Sequence, residues 1–177
     1  MDEFLIIALI LIAVVLLYSQ KDKLTKDESL VQDKDVNTSK VLKHLEGFQM
    51  EAVANRKFGF TEKDYEKQLE IYLKEIYQHV TSQKGIQGTN VKAIDLDIGR
   101  SKVGLELKTA RAVIKEGGND NLIGQIIKYQ DRQYDKGNLI VCLVGSNEEF
   151  RNTSISDLED FLIRKKIHLC WHNIEIN

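Results

Sequence analysis

Four charged side chains at alternating positions, Asp95, Asp97, Glu106 and Lys108, bring three carboxylates and an amine into one short stretch of the chain. Apolar residues interleave with them: Ile94, Leu96 and Ile98 on one run, Val103, Leu105 and Leu107 on the next. Successive side chains of a strand point to opposite faces, so each run predicts a strand that aligns its charged residues on one side. Between the runs lies Gly99-Arg100-Ser101-Lys102, which predicts a β-hairpin centred on Arg100 and Ser101. In that register Asp95 falls nearly opposite Glu106 and Asp97 nearly opposite Gly104, close enough for acids to share a divalent cation. Asp95 and Glu106 are the first metal ligands, with Asp97 in reserve.

A sparse carboxylate site suits a hard cation. Mg²⁺ (or Mn²⁺) takes one or two carboxylates and keeps several waters, so no all-protein cage is needed. Lys108 sits two residues from Glu106 and shares its face, where an amine can orient or deprotonate a water and stabilise a pentavalent phosphate. Phosphodiester hydrolysis is the chemistry this set predicts. Lys102, Arg111, Lys115 and Lys128 lie near it in sequence and could meet phosphates, although scattered surface lysines are the ordinary alternative.

Spelled out, the stretch is Asp95-Leu96-Asp97-Ile98-Gly99-Arg100-Ser101-Lys102-Val103-Gly104-Leu105-Glu106-Leu107-Lys108, and it resembles the PD-(D/E)xK superfamily of restriction-endonuclease-like nucleases. Downstream, Gln125-Ile126-Ile127-Lys128-Tyr129 resembles the Gln-x-x-x-Tyr helix of members similar to the RecB nuclease domain. The resemblance covers about residues 60–145. It implies a mixed sheet flanked by helices, with Asp95, Glu106 and Lys108 catalytic and Gln125 and Tyr129 binding substrate. A glutamate on the first core helix is also implied, from Glu66 or Glu70, with Glu66 favoured. Ala93-Ile94 replaces the proline that names the motif, and the extra strand usual before the aspartate strand has only 85–90 available to it. The implied activity is Mg²⁺-dependent nuclease, with DNA as the favoured nucleic acid. The competing reading is a catalytically inactive nuclease-fold module that acts as a membrane-tethered interaction protein.

These residues need elements to hold them. Leu69, Tyr72, Leu73, Ile76, Tyr77 and Val80 recur at three- and four-residue intervals and predict a helix over 62–82, with Thr61 as N-cap. After Gly117-Gly118, Leu122, Ile123, Ile126 and Ile127 predict a second helix ending near Lys136-Gly137. A strand over 138–145, a helix over 154–165 and a strand over 167–173 follow. Together these make an α/β layer structure with a mixed sheet.

From Phe4 to Tyr18 fifteen apolar residues run without a polar face, which predicts a single transmembrane helix. At the helical rise they span roughly 22 Å against a hydrocarbon core of roughly 30 Å, so flanking lysines must snorkel or the bilayer must thin. Asp2 and Glu3 precede the run and Lys21, Lys23 and Lys26 follow it, placing the N-terminus outside and the remainder in the cytoplasm. A cleaved signal peptide and a buried core helix are the alternatives. The expected organisation is an anchor at 1–20, a polar tether at 21–45 and a nuclease-like domain at 46–177. Some twenty flexible residues would give the tether a reach of about 25 Å.

Composition excludes other classes. With 25 basic and 27 acidic residues the formal charge is −2, so no global basic field draws in polyanions. Cys142 and Cys170 lie in apolar runs, which predicts buried thiols in a reducing compartment rather than a disulfide. Neither they nor His44, His79, His168 and His172 show zinc-ligand spacing, and His168 and His172 read as positions on a strand face.

Overall fold

A computed structural model describes residues 30–50, 61–85 and 93–174. Among them a short 3₁₀ turn (Asp33–Asp35) leads to helices α1 (Thr38–Glu46) and α2 (Glu62–Lys74), then to strands β1 (Val80–Lys84), β2 (Ile94–Ile98) and β3 (Val103–Thr109). Helices α3 (Ala110–Ile114) and α4 (Gly118–Arg132) lead into strand β4 (Leu139–Gly145). Helices α5 (Asn147–Phe150) and α6 (Thr153–Lys165) then precede strand β5 (His168–Asn173). The sheet runs β1-β2-β3-β4-β5, antiparallel through the first three strands and parallel through the last three. The chain is therefore an α/β fold on a five-stranded mixed sheet.

Alternation on the strands sorts apolar side chains into two layers. On one face Leu105, Leu107, Ile140, Cys142 and Val144 pack with Val41 and Leu45 of α1 and with Tyr65, Leu69 and Leu73 of α2. On the other, Leu139, Val141 and Leu143 pack with Leu122, Ile126 and Tyr129 of α4 and with Ile155, Leu158 and Leu162 of α6. Each large side chain so removed from water contributes roughly 1.5–3 kcal/mol. Strand β4 is buried along its whole length, as a central parallel strand requires, whereas β5 alternates and forms an edge.

The hairpin has the expected register. Asp97 pairs with Gly104 and Ile98 with Val103 across a turn in which Gly99, Arg100 and Ser101 all have positive φ. Gly104 has to be glycine, since a Cβ there would meet Ile94 Cδ1 at 2.5 Å and the Tyr134 ring at 2.8 Å. Thr61 caps α2 as expected, in a reciprocal capping box with Asp64.

Two expectations are corrected. The helix over 62–82 stops at Lys74, and 80–84 is strand β1, which supplies the extra strand beside β2. Ile76 and Tyr77 continue the helical spacing but meet partners elsewhere: Val31 N donates to Ile76 O at 2.8 Å, and the Tyr77 hydroxyl lies 2.7 Å from His44 Nδ1. Part of the stretch expected as tether is the helix α1, capped by Asn37 and burying Val41 and Leu45 completely. The anchor expected at 4–18 lies outside the described residues, as do 86–90. Among the described residues no helix is long and apolar enough to cross a membrane.

Candidate active site

Four elements meet at a cleft of about 640 Å³ whose walls include Asp95, Glu106, Lys108, Glu66 and Gln125. Strands β2 and β3 supply the first three, α2 the glutamate and α4 the glutamine. Asp95 uses its side chain in place of a strand carbonyl: its Oδ2 accepts from Leu107 N at 2.7 Å, which fixes the carboxylate against β3. Lys108 Nζ stands 3.0 Å from Glu106 Oε1, 3.1 Å from Glu62 Oε1 and 3.8 Å from Asp95 Oδ2. The ammonium is thus held among three carboxylates, the position a divalent cation would compete for.

Glu106 is 3% exposed, and its Oε2 is buried with no hydrogen-bond partner. Gln125 Oε1 on the wall of the same cleft is likewise buried and unpartnered. Buried acceptors are almost always satisfied in folded proteins, so two orphans at one cleft leave coordination positions for a cation or a donor that enters from solvent.

The electrostatics follow from burial. Desolvation, reinforced by the Asp95 charge and only partly offset by Lys108, pushes the Glu106 carboxyl up to about 7. Asp95 is raised by burial too, against the pull of Lys108 and the Leu107 N–H. Burial disfavours the Lys108 charge, but the carboxylates of Glu106, Asp95 and Glu62 together outweigh it and its pKa rises. Glu66 is raised by burial, countered by its hydrogen bond from Gln83.

Two expected site residues have other work. Tyr129 is fully buried, donates to Ala93 O at 3.2 Å and lies beside Glu106. It therefore positions the strand and the glutamate and cannot touch a substrate. Asp97, expected as the reserve metal ligand, is 2% exposed and already saturated: Oδ2 accepts from Lys84 Nζ at 2.7 Å and Ser101 N at 3.1 Å, and Oδ1 from Tyr134 at 2.6 Å. It ties the hairpin turn to β1 and to the segment after α4. Asp97→Ala should lower unfolding free energy in urea by about 3–5 kcal/mol, because Lys84 and Tyr134 lose their acceptor together. Glu70 pairs with Lys74 at 2.6 Å in an (i, i+4) bridge on α2, which leaves Glu66 as the helix glutamate at the cleft.

Glu62 and Gln83 were not foreseen. Gln83 Nε2 donates to Glu66 Oε1 at 2.8 Å and to Asp95 Oδ1 at 3.2 Å, so one side chain bridges the two acids. Its backbone is left-handed, at φ 51°, a conformation that costs free energy in a non-glycine residue and is often retained beside functional groups. Running the helix on to 82 left Gln83 in a connection and hid the strand that carries it; strand alternation with Asp95 is the signal that finds it. Glu62 follows the Thr61 cap directly and was open to notice as an acid in the first turn of α2.

Elsewhere, Cys142 and Cys170 are both free and buried. Among the described residues they and His172 make the one group of three His, Cys, Asp or Glu ligand atoms within 4.8 Å of one another. The carboxylates of the cleft do not draw that close as a trio.

Comparison with protein families, with curated proteins and with solved structures finds no match to this chain.

Proposed function

We propose that this chain is a Mg²⁺- or Mn²⁺-dependent phosphodiesterase of the PD-(D/E)xK type that cleaves DNA and is held at the inner face of a membrane by residues 4–18. The observation that carries the reading is the buried, unpartnered Oε2 of Glu106, set beside Asp95 and Lys108 on the wall of an open cleft. Asp95 and Glu106 would hold the ion, with Glu66 beside Asp95 through their shared Gln83 donor. When bound, the metal supplies Lewis-acid polarisation of the phosphate and lowers the pKa of a nearby water.

The rest of the chemistry belongs to the chain. Lys108 places a permanent positive charge where negative charge gathers on the phosphoryl oxygens, and low local dielectric strengthens that interaction. Gln83 holds Glu66 and Asp95 in mutual register. Gln125 would offer its two amide donors to a bound phosphodiester. Tyr129 fixes Glu106 from behind.

A second reading is an inactive module of the same fold. It is favoured by the Lys108 ammonium, which already neutralises the acids, and by the looseness of the carboxylate trio. Full-length protein in detergent, incubated with supercoiled DNA, single-stranded DNA and RNA in Mg²⁺ or Mn²⁺, separates the two. Nicking of DNA that disappears in Glu106→Ala and in Lys108→Ala supports the enzyme. No cleavage of any substrate, together with no Mg²⁺ uptake by calorimetry, establishes the module. Gln83→Ala is expected to weaken Mg²⁺ about 10- to 100-fold in the same titration, as loss of a side chain that only orients ligands does. Fractionation tests the anchor: the full chain should sediment with membranes and resist carbonate extraction, and a chain starting at residue 21 should not.

A further inference from the structure

The face of the sheet turned away from the cleft carries a different set of donors. Cys142 and Cys170 are direct register partners on the parallel strands β4 and β5, and His172 follows Cys170 by two residues, which returns it to the same face. Their two sulfurs and a ring nitrogen of His172 lie within 4.8 Å of one another. From α2, the Tyr65 hydroxyl contacts His172 Nδ1 and stands 3.9 Å from Cys142 Sγ. The other ring nitrogen, Nε2, is buried without a partner.

Two buried thiols alone would be ordinary core. An imidazole with a nitrogen to spare and a phenol converging on the same two sulfurs are not what an apolar layer selects, since each brings a polar atom that packing does not satisfy. The donor types, two sulfurs and one imidazole, discriminate against hard Mg²⁺ and match a borderline-soft d¹⁰ ion.

We propose that Cys142, Cys170 and His172 bind a zinc-class divalent ion, with the Tyr65 hydroxyl at the fourth position. Tetrahedral thiolate ligands around such an ion sit about 3.8 Å apart, a separation the three atoms, all within 4.8 Å of one another, can reach by side-chain rotation. Tyr65 and His172 also line a cavity of about 660 Å³ with Phe48, Trp171 and Ile174, which gives the ion a route from solvent. The site staples the edge strand β5 to β4 and to α2. Its donors are distinct from those of the cleft: Glu106 and Lys108 project from the opposite face of the sheet, α2 borders both sites, and the two donor sets prefer different metals.

The test uses reduced full-length protein in detergent, stripped with chelator and titrated with Zn²⁺ against a chromophoric competitor, then with Co²⁺ in its place. One Zn²⁺ per chain is expected, and Co²⁺ should show the visible bands of a tetrahedral site with sulfur-to-metal charge transfer. Cys170→Ser and His172→Gln should each weaken Zn²⁺ at least about tenfold, and Glu106→Ala should leave it unchanged. Zn²⁺ bound no more tightly by the wild type than by His172→Gln, or a Co²⁺ spectrum without sulfur charge transfer, overturns the proposal. If the cysteine variant does not fold, the wild-type cobalt spectrum and the His172→Gln variant, at a partly buried position, decide it.

Discussion

Lys108→Ala is expected to slow Mg²⁺-dependent DNA cleavage about 1,000-fold, the scale on which a single preorganised donor to a developing oxyanion acts, while Mg²⁺ binds at least as tightly as before. The two effects diverge because the ammonium does two jobs. It neutralises Glu106, Glu62 and Asp95 at 3.0, 3.1 and 3.8 Å, and so competes with a divalent ion for the same field. In the proposed reaction that charge would serve the phosphate instead. Removing it costs the reaction but vacates the space between the acids, leaving two buried carboxylates whose repulsion a metal relieves. The metal-free variant should therefore be destabilised and should regain more stability on Mg²⁺ addition than the wild type does. Single-turnover cleavage and calorimetry on the same preparation measure both quantities. Parallel loss of binding and cleavage would show that Lys108 only holds the cleft together, and undiminished cleavage would remove it from the chemistry.

Glu106→Gln is expected to abolish cleavage and at the same time to stabilise the metal-free protein above neutral pH. The Glu106 carboxyl titrates at about 7, raised above its ordinary value of 4.5 by burial and by Asp95. A raised carboxyl favours the folded state fully below the ordinary value, and that advantage is lost as pH climbs through about 7. The difference amounts to about 3 kcal/mol at most, at 1.36 kcal/mol per unit. Wild-type stability should accordingly fall between pH 5 and 8, with Asp95 adding in the same direction, whereas the glutamine variant should show a flatter profile. Metal binding needs the ionised form, so cleavage by the wild type should rise about tenfold per pH unit below 7 and level off above it. Saturating Mg²⁺ should shift that midpoint downward. Urea melts across this range check the first half and a pH–rate profile the second. A wild-type stability independent of pH over the interval would mean that Glu106 is ionised throughout.

What the chain discloses unaided depends on how local each pattern is. The β2–β3 hairpin was legible because alternation and a four-residue turn are properties of adjacent residues, and they carry Asp95, Glu106 and Lys108 to one cleft. The helix α4 was legible by its period, but the period could not say that Tyr129 points into the core while Gln125 reaches the cleft. Strand β1 was hidden because Ile76, Tyr77 and Val80 extend the spacing of α2 by coincidence, and with it went Gln83. Asp97 shares the parity of Asp95, yet Lys84 and Tyr134, 13 positions before it and 37 after, claim it. The convergence of Cys142 with His172 needs the register of two parallel strands joined by a helical crossover, which no spacing rule supplies. Helix α1 was misread as tether because its Thr, Ser, Lys, His and Glu content outweighed the two apolar positions, Val41 and Leu45, that bury it.

That helix changes the arithmetic of any membrane attachment. Val31 N already bonds to Ile76 O, and Thr38 Oγ1 donates to Gly137 O at 2.7 Å, so the folded body begins near residue 31 instead of near 46. With an anchor ending at Tyr18, eleven residues, 19 to 29, separate it from the first residue described. Eleven residues can span at most about 38 Å. On the proposed reading, a nuclease on so short a lead would meet only polymer that is brought to the bilayer, such as a strand being threaded through it.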